Sequence, residues 1–151
     1  MKKKLFSFII ILMITHCGFT PMYDSKNKLD YNILITESEG DKLINNLIKN
    51  EIKKISDPNS LNKIILKVNT NYSKIIISKT VKGSISDYRM VMETKIMIDN
   101  DKKITNFSFK ENQDITNISD IFEKKNYENT IKKNYAISVA RNLNLKLLNN
   151  Q

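Results

Sequence analysis

Cys17 is the one cysteine among 151 residues, and its position decides which chemistry it can do. It stands directly behind an apolar run, Leu5 to Thr15 (LFSFIIILMIT), which itself follows Lys2, Lys3 and Lys4. A positive start, a short apolar stretch and then a cleavage position are the parts of an export signal. The run is too short to span a bilayer, which takes about 20 apolar residues. A thiol at that place is an acceptor for diacylglycerol, and the amine freed by cleavage is then acylated in turn. Two lipid attachments hold a protein on a membrane stably, where one chain does not. The sequence therefore predicts a signal peptide over residues 1–16 and lipid attachment at Cys17. The usual lipoprotein box has Leu three places before the cysteine and small residues between; here Ile14, Thr15 and His16 fill it, and His16 is the misfit.

Other chemistry is bounded by what the chain lacks. Once His16 leaves with the signal no histidine remains, there is no second cysteine and no tryptophan, and the glycines are Gly18, Gly40 and Gly83. A Ser-His-Asp or Cys-His arrangement, a Cys/His zinc site, a Gly-rich phosphate loop and an internal disulfide are all ruled out. Carboxylate, Lys or Tyr chemistry is what would be left to an enzyme. Asp99 and Asp101 flank Asn100 in the spacing of a solvated hairpin turn rather than of a working acid pair. No catalytic residue, metal ligand set or cofactor is expected, and the chain reads as a protein that is not an enzyme.

Loss of Lys2, Lys3 and Lys4 lowers the formal charge from +9 to +6 and leaves 135 of the 151 residues. That length suits one domain around one core. A basic exported domain could meet anionic head groups or a phosphorylated glycolipid. An AT-rich genome would produce the same wealth of Lys, Asn and Ile. Nucleic acid is a poor partner for an exported chain whose Tyr and Phe residues are predicted to lie in the core instead of on a stacking surface.

The elements that must present these residues follow from the spacing of apolar positions. Residues 17–30 read as a lipidated polar tether, and residues 31–151 as a single domain. Tyr31 to Thr36 alternates as a first strand. Ser38 to Ile55 places Leu43, Ile44, Leu47, Ile48, Ile52 and Ile55 at helical spacing, with Ser38 and, three places on, Asp41 as an N-cap pair and the Asp57-Pro58-Asn59 stop beyond. From Asn62 the period becomes two. Ile64, Leu66, Val68, Thr70 and Tyr72 share a face, and Ile75 to Ile77 continue the strand or restart it after a bulge. A turn near Lys82-Gly83-Ser84 leads to a strand with Tyr88, Met90, Met92, Thr94, Ile96 and Ile98 inward. The turn at Asn100-Asp101 leads to a last strand, Lys103 to Glu111, with Phe107 and Phe109 inward. A long helix from about Ile118 to Leu148 carries Ile131, Tyr135, Val139, Leu143 and Leu147, with Ala136 and Ala140 allowing close approach to a sheet. The predicted fold is an α+β two-layer sandwich in the order strand, helix, three strands, helix, with both helices on one face of a four-stranded, mainly antiparallel sheet. Its other face, with Ile65, Lys67, Asn69, Arg89, Val91, Glu93 and Lys95, is predicted to be mostly polar and open for docking.

The run Cys17-Gly18-Phe19-Thr20-Pro21-Met22-Tyr23 resembles the LPS-assembly lipoprotein LptE family, especially its alphaproteobacterial branch. The element order, Arg89 at the opening of the third strand, and Ala136 and Ala140 before a Leu-rich end are similar to that family across nearly the whole mature chain. The resemblance implies an outer-membrane lipoprotein on the periplasmic side, anchored through its lipid. It implies a plug in the lumen of an LptD-like barrel, and lipopolysaccharide as the cargo being assembled. Gly18, rather than an Asp that retains lipoproteins at the inner membrane, agrees with that address. Such a role calls for cations that meet lipid A phosphates, and Lys82 and Arg89 are the candidates. The rival reading is a generic lipoprotein of the same fold that binds another envelope partner or ligand.

Overall fold

The computed structural model describes residues 29–100 and 103–149. The predicted signal peptide, Cys17, the tether up to residue 28 and Asp101 lie outside the described residues. The elements are β1 (Asn32–Gly40), α1 (Lys42–Ile55), β2 (Lys63–Lys79), β3 (Ile85–Asp99), β4 (Ile104–Thr116) and α2 (Ile121–Leu148). They form the expected α+β fold, with strands in the spatial order β1-β2-β3-β4. β1 runs parallel to β2 because α1 carries the chain back over the sheet, and β2, β3 and β4 form an antiparallel meander.

One face of the sheet and one stripe of each helix close a single core. Ile44, Ile48 and Ile52 of α1 meet Ile64, Leu66 and Val68 of β2, Met90, Met92 and Ile96 of β3, and Tyr135, Val139 and Leu143 of α2. Each such aliphatic side chain contributes roughly 1.5–3 kcal/mol by leaving water. Ala136 and Ala140 are buried as well, so α2 lies close to its neighbours. The folded unit starts earlier than the expected residue 31: Leu29 is buried, and its N–H donates to the Ile55 carbonyl at 2.9 Å.

The first strand is longer than its apolar part. A register shift between Ile35 and Glu37 inserts one residue, so that Ile33 and Ile35 face the core while Glu37 and Glu39 swing to the open side, beside Lys67 and Asn69. The strand therefore extends to Gly40, and the helix cannot begin at Ser38. Asp41 is the N-cap, its carboxylate accepting from the Ile44 N–H at 2.9 Å. Gly40 has φ +86°, and a Cβ there would lie 2.0 Å from the Thr70 carbonyl oxygen. Only glycine allows that approach. At the other helix, Asp120 caps α2 by accepting from the Glu123 N–H at 2.7 Å, so α2 starts three residues after the expected Ile118. β4 runs on to Thr116, past the expected Glu111, because its outward residues need no apolar character.

A polar thread crosses the core. The Tyr135 hydroxyl lies 3.0 Å from both Thr94 Oγ1 and the Phe109 carbonyl, and Thr94 Oγ1 lies 2.9 Å from Thr70 Oγ1. A phenol has one proton and a carbonyl only accepts, so Tyr135 donates to Phe109, Thr94 donates to Tyr135, and Thr70 donates to Thr94. The direction agrees with the acidity of Tyr135: burial pushes it up to about 12, and the Thr94 bond acts the other way, as a donor to the phenolate oxygen would.

Candidate functional site

The open sheet face is the first surface available to a partner. Its side chains pair across strands, Lys67 Nζ with Glu37 Oε1 at 2.5 Å and Asn69 Nδ2 donating to Glu39 at 3.1 Å, and along β3, Lys95 with Glu93 at 3.6 Å. A shallow concavity of about 470 Å³ runs across all four strands there, with Glu37, Lys67, Lys95, Met97, Asn106 and Ser108 among its lining. The surface mixes these charged and amide groups, near charge balance, with exposed Leu34, Met97 and Ile104, and among the described residues it presents no cluster of three His, Cys, Asp or Glu fit to hold a metal ion.

Arg89 lies on this face and is not a free cation. Its Nε and Nη2 donate to Asp114 Oδ1 and Oδ2 at 2.5 and 2.8 Å, a two-pronged bond between directly opposed residues of β3 and β4. The pair holds the Asp114 carboxyl below its ordinary range and the guanidinium above its own. Lys82 stands exposed in the β2–β3 turn, away from Arg89 along the hairpin: Arg89 is level with Ile75 and four residues from the end of β3 that meets the turn at Ile85. The structure thus separates the two candidate cations and gives one of them a carboxylate partner.

Sequence reasoning missed the far end of the β2–β3 hairpin. Ile75, Ile76 and Ile77 on β2, Ile85 on β3 and Val81 in the turn are all exposed, Val81 completely. Ile121 and Phe122, at the start of α2, are exposed at the same end, which Asn117 joins to the hairpin through bonds to the Ser86 and Ile85 carbonyls. The signal was the unbroken Ile75-Ile76-Ile77 run, which puts apolar side chains on both faces of a strand past the point where a helix covers one of them. Beside it, Glu128 of α2 accepts from Lys74 at 2.6 Å and from the Tyr88 hydroxyl at 2.7 Å. Burial raises the Glu128 carboxyl, but the Lys74 and Tyr88 bonds more than offset it and the net shift is downward. Lys74 and Lys124 also lie 5.3 and 5.0 Å from the Tyr88 ring centre.

The architecture has solved counterparts. It is the fold of several bacterial lipoproteins. Rare lipoprotein B from Shewanella oneidensis superposes with a TM-score of 0.57 at 12% identity, covering 79% of this chain and 96% of that one. A minor lipoprotein from Acinetobacter baumannii gives 0.54 at 12% identity, with 78% and 96% covered. The uncharacterized lipoprotein B from Nitrosomonas europaea gives 0.51 at 11% identity, with 78% and 84% covered. Identity this low establishes a common fold and nothing further. No family model matches the chain, and no curated protein matches it.

Proposed function

We propose that this chain is a lipoprotein of the outer membrane, anchored through Cys17 on the periplasmic side, that assists assembly of lipopolysaccharide by plugging an LptD-like barrel. The observation that carries the reading is a convergence of independent signals. The run Cys17 to Tyr23 resembles the LptE family, and the domain that follows, outside that run, has the fold of rare lipoprotein B and other bacterial lipoproteins. The role is non-enzymatic: the protein acts by shape and surface. An open sheet face whose Lys67, Glu37, Asn69 and Glu39 are paired suits the polar lumen of a barrel, where a wholly apolar face would not. Lys82 is the readier phosphate contact. Arg89 reaches a phosphate only by releasing Asp114, an exchange of one anion for another on a solvent-exposed side chain.

Affinity purification from native membranes tests the proposal. Recovery of a large outer-membrane barrel, together with a mass that begins at an acylated Cys17, is the expected result. Repeated absence of a barrel, with Cys17 acylated, favours a lipoprotein serving another envelope partner. A protein found in the cytosol with an intact Met1 overturns the reading.

A further inference from the structure

The apolar hairpin end is unexplained by the polar sheet face that the proposed plug would use. From Lys74 to Ile85 the chain reads KIIISKTVKGSI, with three lysines and no carboxylate. Five of these residues are exposed aliphatics. Two backbone bonds close the turn: the Thr80 N–H donates to the Ser84 carbonyl at 2.7 Å and the Gly83 N–H to the Thr80 carbonyl at 2.8 Å. Gly83, at φ +82°, allows that tight closure. The Lys79 and Lys82 stems can lie along apolar surface with their ammonium groups at head-group level. Asp87, opposite Ser78 on β3, puts one carboxylate at the base of the tip, engaged by the Ser78 and Ser86 hydroxyls; the aliphatics, with Lys79 and Lys82 nearer the turn than this acid, match a bilayer interface carrying anionic lipid.

We propose that the β2–β3 hairpin tip is a second, non-covalent membrane contact, in which Ile76, Ile77 and Val81 enter the interfacial zone of an anionic bilayer while Lys79 and Lys82 meet its head groups. Binding by the tip stands on these observations alone; its geometry rests on the lipid-anchored reading above. The tip and the chain entry at Leu29 are at opposite ends of the sheet, because Asn32 pairs with Lys63 at the start of β2, and the tip follows its end at Lys79. Those 16 steps span roughly 53 Å at about 3.3 Å per residue. The 12 steps from Cys17 to Leu29 reach about 42 Å at most. A domain standing upright on its tip would hold Leu29 beyond the reach of the anchor. With tip and anchor in one membrane the strands must lean by about 40° or more from the bilayer normal.

The chain has no tryptophan, so Val81→Trp supplies a single fluorescent reporter at the tip, and Asn50→Trp, on the exposed side of α1, is its control. The acylated full-length mature protein is placed in vesicles of phosphatidylethanolamine with phosphatidylglycerol, and in vesicles of phosphatidylcholine. The expected result is a blue-shifted emission at position 81, quenched by bromine-labelled acyl chains and strongest with phosphatidylglycerol, and a water-like emission at position 50. Because indole itself favours interfaces, a second measurement uses no probe. The chain from Gly18 onward, without acyl groups, keeps every core residue and is sedimented with the same vesicles. Val81→Asp should weaken its phosphatidylglycerol binding by about tenfold or more. A water-like emission at position 81 in both vesicle types, or sedimentation unchanged by Val81→Asp, overturns the proposal. A shift seen only when a barrel protein is present also overturns it, and assigns the tip to a protein partner. An unacylated Cys17 with intact tip binding would refute the anchored reading and leave the tip assignment standing.

Discussion

Replacing Tyr135 by Phe removes one oxygen atom from the centre of the protein, and the thread it belongs to sets the cost. Tyr135, Thr94 and Thr70 are all fully buried. Without the phenol, the Thr94 hydroxyl loses its acceptor and the Phe109 carbonyl loses a donor, while the ring, 5.6 Å from that of Phe109, keeps its packing. Two neutral bonds at 0.5–1.5 kcal/mol each give a destabilisation of about 1–3 kcal/mol. At about 4 °C per kcal/mol for a domain of this size, thermal unfolding followed by circular dichroism should move down by roughly 4–12 °C. Thr94→Val breaks the thread one link earlier and orphans the Thr70 hydroxyl. Because the two substitutions share the Thr94–Tyr135 bond, the double variant should lose less than the sum of the singles, by about 1 kcal/mol. Additivity within about 0.3 kcal/mol would refute the thread, and so would a Tyr135→Phe variant as stable as the parent.

Tyr72 gives the opposite expectation from the same substitution. Its buried hydroxyl has no hydrogen-bond partner among the described residues, while its ring lies 4.0 Å from Lys132 Nζ, so Tyr72→Phe should be neutral or stabilising by up to about 1 kcal/mol in urea denaturation. Gly40→Ala sets a Cβ against the Thr70 carbonyl at positive φ and should cost about 2–4 kcal/mol, whereas Gly83→Ala, with the same sign of φ and open space around it, should cost about 1 kcal/mol; paired denaturation curves compare them. Alkali should unfold the domain through its tyrosines. Burial pushes Tyr72 and Tyr135 up to about 12, so each neutral phenol favours the fold fully below pH 10, and that stability is lost as pH rises from 10 through 12. Tyr135→Phe should flatten the loss in a pH titration of the unfolding midpoint.

The elements that sequence made legible are those in which burial imposes a period. The Ile44-Ile48-Ile52 stripe of α1, the alternation from Ile64 to Thr70 and from Tyr88 to Ile98, and the α2 stripe through Tyr135, Val139 and Leu143 all lie where their spacing put them. Boundaries failed where pairing, not burial, decides the structure. The polar end of β1, Thr36 to Gly40, is a strand because β2 offers it hydrogen bonds, and its bulge moved the helix cap from Ser38 to Asp41. Leu29 was hidden in a polar stretch because one apolar residue makes no period. Of the candidate site, the identity of the open face was readable from alternation, but the engagement of Arg89 was not: Asp114 is 25 positions away and meets it only through the β3–β4 register. The hairpin end was invisible for a related reason, since composition does not reveal where the helical layer stops.

The parallel pairing of β1 with β2 has a mechanical side. The tether enters at the start of β1, and the hairpin tip lies beyond the far end of β2, so a pull between anchor and tip runs along the two strands in opposite directions. Such a load shears the ladder from Asn32–Lys63 to Gly40–Thr70, straining its bonds together, instead of unzipping them one after another. A domain held at both ends, as the proposed anchor and tip would hold it, would resist being drawn apart along that line.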